Sequence, residues 1–366
     1  MEFSIVMSSS RAWFGLGCLC LAPAVVAVAC SSFSQADAPE AEAGAPDTAP
    51  ADAPTTGDAG PDASTRTCTA EGVCEIATGE VNADEIVADE DHVLWTTAKI
   101  GTGLVRHVAL GGGGVSSGPA ETLAGPDDLP HSLHLYGPRF YYATGVAVRF
   151  GTTADGADGG TRPAIPSNTA PVVAALRTSD TMLVLRGDTL AYCATLADFG
   201  CGARPLEEHS VTMPKVLASA SATADEVWYI AANGISKAAK PTFNPTMNWN
   251  VVGARSLAVD ASRVYFTTNA TNEVRSKSVT ASNASASAVV ALASQAPGAL
   301  AVDSQHVYFT VPDANVVMRA SKTTTDGGAA EVVFDNVVAP RGIALNAKFV
   351  FVTLSDGRVL SRPKPQ

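Results

Sequence analysis

An eleven-residue pattern recurs down this chain at a spacing near 43 residues, and it constrains the fold more than any other feature. Three copies align without gaps: Leu257-Ala-Val-Asp260-Ala-Ser-Arg-Val264-Tyr-Phe-Thr267, Leu300-Ala-Val-Asp303-Ser-Gln-His-Val307-Tyr-Phe-Thr310 and Ile343-Ala-Leu-Asn346-Ala-Lys-Phe-Val350-Phe-Val-Thr353. Ile86-Val-Ala-Asp89-Glu-Asp-His-Val93-Leu-Trp-Thr96 is a fourth, and Leu133 to Tyr142 a fifth. Weaker copies centre on Met182 and Val227. The anchors Val93, Phe140, Met182, Val227, Val264, Val307 and Val350 are separated by 47, 42, 45, 37, 43 and 43 residues. From residue 80 onward β-branched and aromatic runs alternate with Gly, Pro, Asn and Asp, which is strand and turn chemistry. Short strands repeated at this period cannot bury their apolar faces singly. They bury them on neighbouring copies, as blades around a ring.

One unit names its own strands. In the sixth, Ala299–Asp303 is strand a, Val307–Val311 strand b, Val316–Ala320 strand c and Glu331–Phe334 strand d. The Asp or Asn that closes strand a suits a tight hairpin, because its side chain can bond backbone amides two and three residues on. Strand c carries a basic residue three after an apolar one: Arg106, Arg149, Lys237, Lys277, Arg319 and Arg362, with none in the third unit. The seventh unit ends after strand c. Cys74-Glu-Ile-Ala77 stands where a strand d would precede the first unit, so the spacing predicts that this N-terminal strand closes the last blade. Closure removes an exposed sheet edge. The fold expected is all-β, a seven-bladed β-propeller.

The pattern resembles the YWTD and NHL groups of β-propellers, and more closely the exported bacterial repeat proteins of that kind. The residues that carry the likeness in the first unit are Val93-Leu-Trp-Thr96, Leu104-Val-Arg106, Gly111–Gly114 and Thr122-Leu-Ala124. It extends over residues 74 to 362. It implies a fold and no particular activity, because propellers host many unrelated ones.

Ahead of the repeats lie two other kinds of sequence. Residues 12–29 are almost wholly apolar, follow Arg11, and end Ala27-Val28-Ala29-Cys30. A basic residue, an apolar core and small residues before a single Cys form an export signal resembling a bacterial lipobox. Residues 1–29 are read as a lipoprotein signal peptide and Cys30 as the lipidated residue. Ala27 departs from the Leu usual three before that Cys. An uncleaved transmembrane anchor and ordinary cleavage remain as alternatives. Residues 30–66 are Ala, Pro and small polar residues with seven acids against Arg66. Such a segment cannot bury enough apolar surface to order itself, and reads as a disordered tether. The propeller domain is then 67–366, held at the cell envelope through the lipid, on the outer membrane or cell surface.

Composition narrows the function classes. The net charge is −12 and only 16% of residues are charged, which argues against nucleic-acid binding. Only the N-terminal stretch approaches membrane length, which excludes a polytopic membrane protein. No nucleotide loop, triad or metal box occurs, and no cofactor is expected. Gly114-Val-Ser-Ser-Gly118 matches a nucleophile elbow in spelling, but no helix follows it. His131 and His134, three apart on a strand, face opposite sides and would not share a metal. Asp155-Gly-Ala-Asp158 and Arg186-Gly-Asp188 read as turns.

Four Cys remain after the signal: Cys68, Cys74, Cys193 and Cys201. An even number outside the cytoplasm suggests two disulfides. Three pairings are possible. Neighbours give the simplest, Cys68–Cys74 on the closing strand and Cys193–Cys201 in the third blade.

The candidate ligand site is positional. Two residues before each strand-a anchor, one side chain per blade should stand at one mouth of the central channel: Asp84, His131, Val173, Ala218, Arg255, Gly298 and Arg341. Asp84, His131, Arg255 and Arg341 are the candidate ligand-binding residues, and two Arg with a His could receive a small anion. The expectation is a membrane-tethered extracytoplasmic binding or scaffolding module for a protein or small anionic ligand. The alternative is a lactonase-like propeller hydrolase with a metal in the channel, which would need more acids at the mouth.

Overall fold

The structure is a computed structural model, and it describes residues 68–111, 118–153, 162–165, 171–178, 180–194, 201, 207–210, 216–218, 225–240 and 242–366. The expected signal segment, Cys30 and the expected tether, the Gly-Val-Ser-Ser motif and residues 155–158 lie outside these residues. Seven four-stranded antiparallel sheets make up the fold. Blade 1 is β2 (Ala83–Ala88), β3 (His92–Thr97), β4 (Gly103–Ala109) and β5 (Glu121–Asp127). Blade 2 is β6 (His131–Tyr136), β7 (Arg139–Ala143), β8 (Val148–Thr152) and β9 (Arg162–Ile165). Blade 3 is β10 (Val172–Arg177), β11 (Thr181–Arg186), β12 (Thr189–Ala194) and β13 (Glu207–Ser210). Blade 4 is β14 (Val216–Ala218), β15 (Glu226–Ala231), β16 (Gly234–Ala239) and β17 (Asn244–Trp249). Blade 5 is β18 (Ala254–Val259), β19 (Arg263–Thr268), β20 (Glu273–Ser278) and β21 (Ala288–Leu292). Blade 6 is β22 (Leu300–Val302), β23 (His306–Val311), β24 (Val316–Ser321) and β25 (Glu331–Phe334). Blade 7 is β26 (Pro340–Leu345), β27 (Phe349–Leu354) and β28 (Val359–Pro363), and its fourth strand is β1 (Cys74–Ala77). Cys74 pairs with Ser361 and Ala77 with Val359, so the N-terminal strand closes the ring as the spacing predicts.

The core lies between blades. Tyr265 of blade 5 packs with Leu300, Val307 and Phe309 of blade 6, and Tyr308 of blade 6 with Ile343, Val350 and Val352 of blade 7. The Val-Tyr-Phe-Thr run is buried along its whole length because successive strand residues point to opposite faces, and in a ring both faces of a blade are covered.

Each repeated polar residue has a local task. One oxygen of Asp89, Asp260, Asp303 or Asn346 accepts the amides two and three residues on, as in Ser262 and Arg263 to Asp260 Oδ1, both 2.8 Å. The other oxygen of Asp260 takes Lys322 Nζ of the next blade at 2.5 Å, and that of Asp303 takes Lys364 at 3.1 Å. The strand-c cation, for which the sequence offers a position but no role, is mostly an ion-pair donor. Arg106 forks onto the buried Glu80 carboxylate (Nη2–Oε1 3.1 Å, Nε–Oε2 3.2 Å), which also accepts Trp95 Nε1. Arg149 meets Asp127 at 3.2 Å, and Lys237 meets Glu226 at 2.6 Å.

Both neighbour disulfides form. Cys68–Cys74 ties the chain to the start of the closing strand, and Cys193–Cys201 spans the connection leaving β12. The Arg186-Gly-Asp188 run is the turn between β11 and β12, with Gly187 at φ 49.

Candidate functional site: the strand-a mouth of the central channel

Most of the innermost strands share one irregularity, and it builds the site. Their ladders slip by one residue between Ala83 and Ile86, His131 and His134, Ala254 and Leu257, and Pro340 and Ile343. A bulge leaves residues unpaired and turns their side chains away from the sheet. The Thr that ends the repeat supports this bulge. Thr96, Thr267, Thr310 and Thr353 are all fully buried. Their hydroxyls accept the amides of Glu85 (3.3 Å), Ser256 (3.1 Å), Ala299 (2.9 Å) and Gly342 (2.9 Å). Thr267 and Thr353 also donate to the next blade, to the carbonyls of Gly298 and Asp84. Blades 7 and 1 approach so closely there that a Cβ on Gly342 would lie 2.3 Å from the Asp84 carbonyl oxygen.

Asp84, His131 and Arg341 come together at the mouth, on blades 1, 2 and 7. Burial raises the Asp84 carboxyl above its usual range, while Arg341 and His131 pull it back down. The His131 ring is held at both nitrogens, Nδ1 2.7 Å from Leu129 O and Nε2 3.1 Å from Val172 O. A neutral imidazole has one N–H, so only its protonated form would donate to both carbonyls. Arg255 stands apart on blade 5, exposed and without an ion pair among the described residues. Val173 sits at the corresponding bulge of β10, and Gly298 just before β22.

Ala218 does not belong to this ring. Leu217, not Ala220, is the strand-a anchor of blade 4, because Leu217 pairs with Tyr229 as Leu257 pairs with Phe266. From anchor to strand-b anchor the sequence counts ten residues in blade 4 and seven in blades 1, 5, 6 and 7. The a–b connection is three residues longer there and displaced the alignment. Two before Leu217 is Lys215, which lies outside the described residues.

Below the mouth is a cavity of about 280 Å3 to which strand a of every blade contributes. Its wall is mostly apolar, with Ile86, Leu133, Leu257, Leu300 and Ile343, and carries two titratable side chains, Glu85 and His134. Burial raises the Glu85 carboxyl. Its Oε2 accepts the Leu133 amide of the next blade at 2.7 Å, which together with His131 opposes that rise. Burial lowers His134 to about 4, so the ring is neutral at pH 7. Its Nε2 accepts the Arg177 amide of blade 3 at 2.7 Å, and the ring stacks on Tyr141. Sequence reasoning missed Glu85. The signal was available: six blades carry Ser132, Ala174, Val216, Ser256, Ala299 or Gly342 at that position, and one carries a long acid.

The arrangement is a mostly apolar well with a mixed-charge rim. Arg341 can offer a charge-assisted fork to an anion, and Asp84 beside it limits the net positive charge. Among the described residues no group of three or more His, Cys, Asp or Glu is placed to hold a metal ion.

The same fold occurs in virginiamycin B lyase from Staphylococcus aureus, at 12% identity and TM-score 0.63 over 80% of this chain and 98% of that one. A catalytically inactive variant of that lyase with Quinupristin gives TM-score 0.58 over the same shares at 12% identity. The WD40 domain of Pan2 from Neurospora crassa gives 10% identity and TM-score 0.60 over 82% of this chain and 98% of that one. At such identities the likeness establishes a seven-bladed propeller and nothing about activity. No protein-family model and no curated protein matches the sequence.

Proposed function

We propose that the protein is an extracytoplasmic binding module of the YWTD- and NHL-like propeller kind, tethered to a membrane through acylated Cys30, that receives a small anionic group at the strand-a mouth. The observation that carries the reading is the gathering of Arg341 and Asp84, on bulges, with His131, at the edge of one, over an apolar well, with Arg255 on the same rim. The export half rests on the apolar segment ending at Cys30 and on two disulfides, which persist in oxidising compartments. Two acyl chains or more would hold such a domain on a bilayer durably.

A thermal-shift and calorimetric screen of acetate, succinate and inorganic phosphate tests the binding half. Arg255→Ala with Arg341→Ala should weaken the best anion at least about tenfold, the equivalent of 1.4 kcal/mol. Asp84→Asn should tighten it, because the nearest opposing charge is gone. No response of the parent protein to any anion, or an unchanged response in the double variant, refutes the reading.

A hydrolase is the second reading. Asp84 and Glu85, both raised by burial and both beside His131, are the kind of acid set that handles protons. Lactone turnover abolished by Glu85→Gln, with binding of the anion retained, would favour it.

A further inference from the structure

Eight large apolar side chains are exposed among the described residues, and six of them stand on loops of one face. In each blade the starts of strands a and c and the ends of b and d share an end of the sheet, the end that carries the mouth. Val81, Leu129, Val252 and Val338 lie on connections from strand d to the next strand a, and Ile100 and Val146 on connections from b to c. At the opposite end, the a–b turns of four blades are closed by Asp89, Asp260, Asp303 and Asn346.

Five of the six form a file across blades 7, 1 and 2, the blades that hold Arg341, Asp84 and His131. Backbone hydrogen bonds join these loops in sequence: Ser355 N to Val338 O, Glu80 N to Gly357 O, Ala98 N to Asn82 O, Leu129 N to Lys99 O, and Gly145 N to Asp128 O. The file is fixed rather than loose. Leu129 holds φ 44 and Ala339 φ 38, left-handed backbone that bulky side chains rarely adopt, and Leu129 is still 42% exposed. Backbone strain that keeps an apolar side chain in water points to use of that side chain. The Leu129 carbonyl also holds His131, so file and mouth are one construction.

We infer that this face binds an extended peptide segment of a soluble protein partner, with apolar side chains along Val338, Val81, Ile100, Leu129 and Val146 and a carboxylate on Arg341. The inference rests on the mouth being an anion site and names the class of its occupant. A single file of apolar residues beside a polar well fits an extended chain better than the broad face a second copy would need. The described chain starts at Cys68, bridged to the first residue of β1, at the end of the ring remote from the mouth.

The probe is a display library of random nonapeptides with free C-terminal carboxylates, selected against the full chain carrying Cys30→Ala so that no acyl group contributes. The enriched peptides should be apolar near that terminus. Their amidated forms should bind at least tenfold more weakly, and so should Arg341→Ala. The paired variant Ile100→Ser with Leu129→Asn should also lose at least tenfold while melting no earlier than the parent, because Asn accepts left-handed backbone. Binding that needs Arg341 but ignores the paired variant overturns the apolar file and leaves the anion site standing. Absence of any enriched peptide, while acetate or phosphate still binds, overturns it too. A concentration-dependent dimer by sedimentation that the paired variant dissolves would make the occupant a second copy and refute the proposal. So would flotation with phosphatidylglycerol vesicles that the same variant abolishes.

Discussion

Removing the closing strand is the sharpest perturbation of this ring. A chain that begins at Gly79 lacks β1 and the Cys68–Cys74 bridge but keeps Glu80, whose carboxylate Arg106 and Trp95 require. Ile76 is 1% exposed and packs with Trp95, Phe351 and Val359, across the blade 7–blade 1 boundary. Losing a fully buried Ile forfeits about 1.5–3 kcal/mol of burial. The ladder from Cys74 to Ala77 adds a few hydrogen bonds, each worth about 1 kcal/mol net. Together they come to about 5 kcal/mol, and β28 becomes an open edge that invites pairing with other chains. For a domain of this size a little under about 2 °C accompanies each kcal/mol, so melting should fall by roughly 8 °C. Calorimetry or circular dichroism on the truncated and longer chains reads this directly, and light scattering reports the edge. Ile76→Ala in the longer chain should cost about 3 kcal/mol by itself. A truncated protein that melts within about 2 °C of the longer one would refute the idea that β1 is an integral strand, and with it the closure of the ring.

Other expectations are as definite. Gly342→Ala should cost about 2 kcal/mol in a denaturant titration, because its methyl would press on the Asp84 carbonyl at 2.3 Å and on Thr353 Oγ1 at 2.9 Å. His134 titrates at about 4 in the fold against 6.5 unfolded, so the unfolded chain binds more protons between those values and stability rises with pH across that window. That contribution is complete above about pH 6.5 and is lost as pH falls through 4. It is worth at most about 3 kcal/mol, and His134→Gln should flatten the slope measured from pH 4 to 6.5. Cys30→Ala should abolish partitioning of the full chain into the detergent phase, and mass spectrometry of the mature parent should find acylated Cys30 at the N-terminus; an unmodified terminus elsewhere would remove the anchor.

The fold was legible because it is written seven times. Val-Tyr-Phe-Thr fixes strand b, and the Asp or Asn fixes the turn before it. Four of the aligned copies share one interval between them, so a misreading in any one copy is corrected by the others. Closure was legible for the same reason, since Cys74 falls at the register Glu331 occupies in the sixth unit and both start a strand d. Blade 4 marks the limit. Its a–b connection is three residues longer, nothing in the run Ser219-Ala-Ser-Ala-Thr-Ala224 marks where the extra residues sit, and the alignment slid to Ala220. Length changes in a loop of small residues leave no hydrophobic signature, because period-2 alternation is absent there.

The site is harder to read than the fold because it consists of departures from the repeat. Thr96, Thr267, Thr310 and Thr353 do the same work in their blades, so their chemistry shows as a pattern. Glu85 has no counterpart on the other blades and a pattern search discards it as noise, whereas Arg341 shares its register with Arg255 and His131 shows only as the odd residue of that register. The bulge explains why departures are tolerated there. Its residues are excused from the ladder and point into the channel or across a blade boundary, where a long side chain can find room. Glu85 uses that freedom to reach the Leu133 amide, and Ser132 does the same one blade on, accepting the Ala175 amide at 2.8 Å. One backbone device therefore supplies both closure between blades and a place for chemistry. The repeat register tells where to look, and the odd residue in that register, rather than any motif, tells what is there. By that rule Asp84→Asn and Arg341→Ala, which change the odd residues alone, should alter binding while leaving the seven-fold core intact.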